Sequence, residues 1–256
     1  MNARFPDLEG KHVLITGGSN GIGAALAVAF AGQGCRVTLL DKDVAAGEQV
    51  VAACRRRGGG GAFLHAVDLM DSDALCDALA RIKREQPGVD VLIANAGYDP
   101  RFERLEMSER QWNDLFQLNV THYFVTCREL LPAMIERGRG SVILTVSHTV
   151  WLAKPELIAY NSTKAAAVGF MRSLAEAVGK HGIRVNAVAP GWTMTERQLA
   201  QWVTDEARQR TIHELQTLPI EITPEELTGT YLFLASDSSR PITRQVLVAD
   251  AGQSKH

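Results

Sequence analysis

Aromatic residues are scarce in this 256-residue chain, at 6%, and an excess of charge of either sign is missing. Lys plus Arg number 27 against 29 Asp plus Glu, for a net charge of −2. Proteins that neutralise phosphates carry a clear basic excess, so an obligate nucleic-acid or anionic-membrane partner is not expected, although a local patch stays open. No apolar run reaches the roughly twenty residues that a bilayer span requires. The N-terminal stretch 1–10 is polar and lacks the apolar segment of a signal peptide. The four cysteines, Cys35, Cys54, Cys76 and Cys127, contain no C-x-x-C pair and have no His-rich tract nearby. A structural zinc and a disulfide framework are therefore not expected, and no metal is assigned. These absences together describe a cytoplasmic protein with reduced thiols, buried or half-buried.

What the chain does have is apolar material, 46% of residues, and 22 glycines. That is enough to bury one large core and offset the entropy of ordering. Short apolar runs rich in β-formers (Val13–Thr16, Val37–Leu40, Ala62–Val67, Val89–Ala94, Ser141–Val146, Arg184–Val188, Gln245–Val248) predict strands. Between them, helical patterns cover 21–31, 45–57, 72–84, 112–136, 160–179 and 224–235. Alternation of this kind, with strands apolar on both faces, predicts an α/β fold: a doubly wound, Rossmann-type parallel sheet of seven strands covered by helices. No compositional shift marks a linker, so the chain reads as one domain, 1–256. Its cofactor part lies at about 8–145 and its catalytic and substrate part at about 146–256. Two segments stand apart. The run Arg55–Gly61 reads as a solvated helix end entering a loop, and 191–222 is too long and polar for a simple connection, which suggests a substrate loop or lid.

The turn Thr16-Gly-Gly-Ser-Asn-Gly-Ile-Gly23 joins the first strand to the first helix. Gly17, Gly21 and Gly23 are spaced G-x-x-x-G-x-G. Glycine lets a pyrophosphate approach the backbone, and the helix N-terminus offers unpaired N–H groups and a positive dipole end. Asp41 ends the second strand, where a carboxylate accepts hydrogen bonds from an adenosine ribose and repels a 2′-phosphate. Neither Ser19 nor Asn20 is basic. NAD is therefore expected, with NADP the poorer alternative that Lys42 leaves open; Asp41 also reads as an ordinary strand-end residue.

Tyr160-Asn-Ser-Thr-Lys164 puts a phenol and an ammonium four residues apart on one helical face. A free phenol titrates near ~10, and a neighbouring cation lowers that value toward the range of a useful base. Ser147, at a predicted strand end, is suited to hold and polarise a substrate oxygen. Singly, each has an ordinary explanation as a surface pair or a turn residue. With Asp68, Asn95-Ala-Gly97, Asn119 within Leu-Asn-Val, and Pro190-Gly-Trp-Thr-Met-Thr195, the pattern resembles the short-chain dehydrogenase/reductase family over nearly the whole chain. The resemblance implies Tyr160 as general acid/base, Lys164 as its pKa-lowering partner on the nicotinamide ribose, Ser147 as the orienting hydroxyl, and Asn119 as holder of a relay water. It implies cofactor contacts from Gly17, Ser19, Asn20, Gly21, Ile22 and Gly23, from Asp68 and Leu69, from Asn95, Ala96 and Gly97, and from Pro190, Gly191, Thr193 and Thr195. It also implies a homotetramer assembled through the helices at 112–136 and 160–179. Two departures from the family pattern are Asp250-Ala-Gly252, for a tail with paired glycines, and Arg244, where glycine is common.

The expected substrate is a small molecule. The segments expected around the reacting centre contribute Tyr98, Asp99, Arg101, His148, Thr149, Trp151, Trp192, Arg197 and Gln198. Many hydrogen-bonding groups with aromatic surface suit a sugar better than a steroid or acyl chain. His148 and the tryptophans also read as core residues. Short matches around Asp99-Pro-Arg101, Thr195–Gln198 and the tail 248–252 resemble bacterial aldose 1-dehydrogenases, which oxidise the anomeric C1 to a lactone. A polyol, cyclic diol or 3-oxoacyl substrate stays open, as does a non-catalytic NAD-sensing or scaffold role.

Overall fold

The structure, a computed structural model, describes residues 3–254 apart from 59, 87 and 104. The first two residues of the polar N-terminal stretch and one glycine of the Arg55–Gly61 run lie outside the described residues. Seven strands are present: β1 (His12–Thr16), β2 (Arg36–Asp41), β3 (Ala62–Ala66), β4 (Val91–Ala94), β5 (Gly140–Thr145), β6 (Ile183–Pro190) and β7 (Val246–Ala249). They form one sheet in the order β3-β2-β1-β4-β5-β6-β7, and every pairing is parallel. The helices are α1 (Gly21–Gly32), α2 (Val44–Arg56), α3 (Ser72–Glu85), α4 (Glu109–Phe116), α5 (His122–Arg137), α6 (Thr149–Leu152), α7 (Ile158–Val178), α8 (Glu196–Gln201), α9 (Asp205–Arg210) and α10 (Pro224–Ala235).

Alternate residues of a strand face opposite sides, and here both sides are apolar. Leu14, Leu92, Val142 and Val185 pack with α3, α5 and α7 on one face. Val13, Ile15, Ile93 and Ile143 pack with α1, α2 and α10 on the other. The doubly wound parallel sheet expected from the sequence is thus the observed architecture. Chain direction across the sheet reverses between β1 and β4, and ligands of open α/β sheets collect at the carboxyl ends of strands at such a switch point.

Three details differ from the sequence reading. The pattern at 112–136 is two helices, α4 and α5, separated by a π-helical turn at Gln117–Thr121. The first begins earlier, where Ser108 and Gln111 form a reciprocal capping box. The segment 191–222 is not irregular, because the Thr195 and Thr204 hydroxyls accept from the N–H groups of Gln198 and Ala207 and start two short helices. An Arg208–Glu221 ion pair then ties that segment to itself. Arg244 (φ 65°) and Ala251 (φ 55°) both adopt left-handed backbone, so each departure from glycine sits where a Cβ costs about 1 kcal/mol.

Among the described residues no helix is long and apolar enough to cross a membrane. No His/Cys/Asp/Glu group there could hold a metal, and the four cysteines are free thiols.

Candidate active site

The carboxyl ends of β1, β2, β4, β5 and β6 border one cleft of about 890 Å³. At the β1 end, Gly17 (φ 66°) turns the chain so closely that a Cβ there would lie 2.8 Å from the Ala96 Cα. A Cβ on Gly23 would meet the Gly17 carbonyl oxygen at 1.9 Å, and one on Gly21 would meet the Thr195 Cγ2 at 3.0 Å. This turn exists only without side chains, and it opens directly onto the first N–H groups of α1. Thr16 and Asn95 fix it in place. The Thr16 hydroxyl accepts from the Asn95 N–H at 3.0 Å, and the Asn95 amide donates to the Gly17 carbonyl at 3.1 Å. Asp41 faces the same cleft and accepts from the Ser19 N–H at 3.0 Å.

Of the residues assigned to the cofactor from sequence, Gly17, Asn20, Gly21, Ile22, Asp41, Asp68, Leu69, Asn95, Ala96, Gly97, Pro190, Gly191, Thr193 and Thr195 line the cleft. Ser19 and Gly23 do not. Gly23 acts by packing α1 onto the turn, while Ser19 is buried with its hydroxyl unpartnered. The glycine-rich turn, the helix N-terminus and the Asp41 carboxylate on the cleft fit a dinucleotide.

The reactive groups meet at the ends of β5 and α7. Ser147 follows β5 and lines the cleft together with Tyr160; its hydroxyl lies 2.8 Å from the Thr149 hydroxyl and acts on the Tyr160 phenol to lower its pKa. One helical turn after Tyr160, Lys164 is 2% exposed. Its ammonium donates to the Thr145 carbonyl at 2.8 Å and to the Tyr123 hydroxyl at 3.0 Å, and lies 5.6 Å from the Tyr160 ring centroid. Asn119 is in the π-helical turn, a local geometry concentrated at functional sites. Its amide brackets the Tyr98 backbone, accepting from the N–H at 2.9 Å and donating to the carbonyl at 3.0 Å. It also donates to the Thr163 hydroxyl at 3.2 Å. Asn119 therefore stands behind the cleft and not on its wall.

In the chain by itself the balance at Tyr160 runs upward. Burial, the largest influence, pushes the phenol above its ordinary value, and the Asp99 carboxylate adds to that, while the Ser147 hydroxyl and the Arg197 charge pull it down. The same burial pushes the Lys164 ammonium down to about 7, against an opposing pull from Asp99. Desolvation disfavours the charged form of both partners, so the phenol is held neutral and the ammonium is held close to losing its proton.

Around this centre several hydrogen-bonding side chains stand at the cleft mouth. Asp99 accepts from Arg197 at 2.6 Å and from Gln198 at 2.8 Å, and the Trp192 indole donates to Gln198 at 2.9 Å. These bonds fasten α8 to the segment after β4 across the cleft mouth, and Arg197 also lies 5.4 Å from the Tyr98 ring centroid. His148 is buried beside Asp250, with Nδ1 3.6 Å from a carboxylate oxygen; burial pushes its pKa down to about 4, so the ring is neutral at neutral pH. Trp151, expected on the wall, packs against the core beneath α7 instead. Thr16, Tyr123, Thr145 and Tyr231 escaped the sequence reading. Tyr231 and Thr145 share a hydroxyl hydrogen bond of 2.8 Å, and nothing separates such residues from ordinary core positions in the sequence. Lys154 and Leu157 also line the cleft unannounced.

The short chain dehydrogenase family model matches residues 11–206. The probable galactose dehydrogenase GalD of Rhizobium meliloti (strain 1021) is 38% identical over 254 residues, covering 98% of each chain. The D-xylose 1-dehydrogenase of Caulobacter vibrioides is 35% identical over 254 residues, again covering 98% of each. Among solved structures, a 3-oxoacyl-[acyl-carrier protein] reductase with bound NAD from Brucella melitensis superposes with a TM-score of 0.87 at 30% identity, covering 98% of this chain and 94% of that one.

Proposed function

We propose that this chain, which belongs to the short-chain dehydrogenase family, is an NAD-dependent enzyme that oxidises an aldose at C1 to the aldonolactone. Family membership makes it an oxidoreductase acting on CH–OH groups of a small molecule with a nicotinamide dinucleotide. The observation that carries the reading is that Ser147, Tyr160 and Lys164 line one cleft at the switch point, with the buried Lys164 ammonium 5.6 Å from the Tyr160 ring centroid. When bound, the oxidised nicotinamide supplies the hydride acceptor and a positive charge.

The turn 17–23 holds the pyrophosphate, Asp41 the adenosine ribose, Asp68 and Leu69 the adenine side, and Thr193 and Thr195 the nicotinamide end. Ser147 holds the substrate O1. With its own proton first released to solvent, the Tyr160 phenolate would take the O1 proton as the C1–H electron pair leaves as hydride to the nicotinamide and the C1–O1 double bond forms, so atoms and charge would balance. Lys164 stabilises the deprotonated phenol, and Asn119 keeps the Tyr98 backbone and the relay path in order. The aldose assignment is supported by the hydrogen-bonding side chains of Asp99, Arg197 and Gln198 at the cleft and by two relatives whose names specify galactose and xylose. The proposal includes a cytoplasmic homotetramer of one-domain chains, with no nucleic-acid or membrane partner.

The test is a panel of aldoses, polyols, cyclic diols and 3-oxoacyl compounds with NAD and NADP, read as the change in reduced cofactor and as product. Lactone formation from an aldose with NAD is the expected result. A clear preference for a polyol or an acyl compound overturns the substrate class, and cofactor binding without turnover of any kind leaves a sensor. In the same assay Asp41→Ala is expected to narrow the NAD-over-NADP ratio of kcat/KM by about tenfold or more, because the carboxylate both binds the ribose hydroxyls and repels a phosphate there. An unchanged ratio would remove Asp41 from cofactor selection.

A further inference from the structure

One feature of the cleft wall goes unused by C1 oxidation of a neutral sugar. Arg101, after β4, and Lys154, after α6, both line the cleft. The Phe102 N–H donates to the Glu156 carbonyl at 3.1 Å and joins their two segments side by side. Each cation rests on an indole. The Arg101 guanidinium lies 4.5 Å from the Trp202 ring centroid, and the Lys154 ammonium lies 5.9 Å from that of Trp192.

Neither forms an ion pair with a carboxylate among the described residues. Asp99 is engaged by Arg197 and Gln198, Asp41 and Asp68 belong to the dinucleotide end, and Glu196, which lines the cleft from an exposed position of α8, pairs with neither cation. The Arg101 Nε is buried without a hydrogen-bond partner among the described residues. Two like charges close together, one with an unsatisfied buried N–H, cost stability unless something negative sits between them. Burial and the Arg101 charge both push the Lys154 ammonium down, against an upward pull from Glu156.

We infer that the cleft takes an aldose bearing an anionic group away from C1, a carboxylate or a phosphate ester, with Arg101 and Lys154 as the groups that grip it. The inference rests on the C1-aldose reading and specifies its substrate. The anion satisfies the orphaned guanidinium N–H and offsets the repulsion between the cations. The planar fork of arginine suits either oxyanion, with lysine as a point charge beside it. The anionic group takes no part in bond making, so the oxidation balances as for a neutral sugar.

The experiment compares D-galactose, D-galacturonate and D-galactose 6-phosphate, and the corresponding glucose set, with NAD and the full-length enzyme. One acidic member of a set is expected to exceed its neutral parent in kcat/KM by about tenfold or more, chiefly through a lower KM. The acidic arm that wins distinguishes carboxylate from phosphate. Arg101→Gln and Lys154→Gln are each expected to bring the acidic-to-neutral ratio toward one, while Lys154→Arg keeps it. Calorimetric titration of the preferred acidic sugar, with melting curves as the check on folding, gives the same order without turnover. A neutral aldose preferred in both sets, with a ratio that the substitutions leave unmoved, overturns the inference alone. Oxidation of polyols with no aldose accepted, neutral or acidic, overturns the aldose reading and this inference with it.

Discussion

Tyr160→Phe is expected to lower kcat by about 10³-fold or more while leaving the dissociation constant for NAD within about twofold, because it deletes one oxygen and keeps the ring. That oxygen shares the cleft with Ser147 and Lys164, and no other proton acceptor lining it among the described residues has the same neighbours. His148 is closest in sequence, but its ring is turned toward Asp250. Steady-state kinetics with a titration of NAD fluorescence quenching separate the two effects. Because burial raises the phenol above its ordinary value, oxidation by the unmodified enzyme gains rate as pH rises, and reduction loses it. Substantial residual turnover in the Phe variant, with the same pH profile, would place the proton acceptor elsewhere.

Lys164→Met should separate activity from stability in opposite directions. Turnover is expected to fall by about 10²-fold or more, since the deprotonated phenol loses its cationic neighbour. Stability is expected to rise. Burial pushes this ammonium from 10.5 down to about 7, so between those values the unfolded chain binds the proton more tightly than the folded one. Wild-type stability therefore increases with pH across that window, and below its lower end the full cost of desolvating the charge is present. Methionine removes the cost. The Thr145 carbonyl keeps a donor after the exchange, because the Tyr123 hydroxyl still donates to it at 2.8 Å. Melting curves are expected to show the variant a few degrees above wild type at pH 6, with the gap closing toward pH 10. A variant that melts lower at both pH values would mean that the ammonium's hydrogen bonds outweigh its desolvation.

Much of this molecule was legible in its sequence because the relevant signals are local. The strands announce themselves as apolar runs such as Val13–Thr16, since a parallel sheet covered on both faces has no polar alternation. The glycine turn, Asp41 and the Tyr160–Lys164 spacing are likewise short-range patterns. What stayed hidden depends on contacts between distant segments. The π-helical turn at Gln117–Thr121 shifts the helical phase by one residue without any compositional mark. The clamp of Asp99 on Arg197 and Gln198 joins residues nearly a hundred positions apart, so their types were noted without their partnership. Trp151 follows Ser147 closely and was expected on the cleft wall, but α6 turns it into the core. The direction of the Tyr160 shift also depended on burial, which spacing alone does not report: a lysine one turn away suggested lowering, and desolvation prevails.

The proposed reaction transfers the C1 hydrogen to the nicotinamide in the cleft that Ser147, Tyr160 and Lys164 line. Incubating the enzyme with NAD and an aldose deuterated at C1, then analysing the reduced cofactor by mass spectrometry, tests that most directly. Deuterium in the reduced nicotinamide, a lactone product and a slowed single turnover are expected. Reduced cofactor without deuterium, or a sugar product that still carries the C1 deuterium, would contradict it.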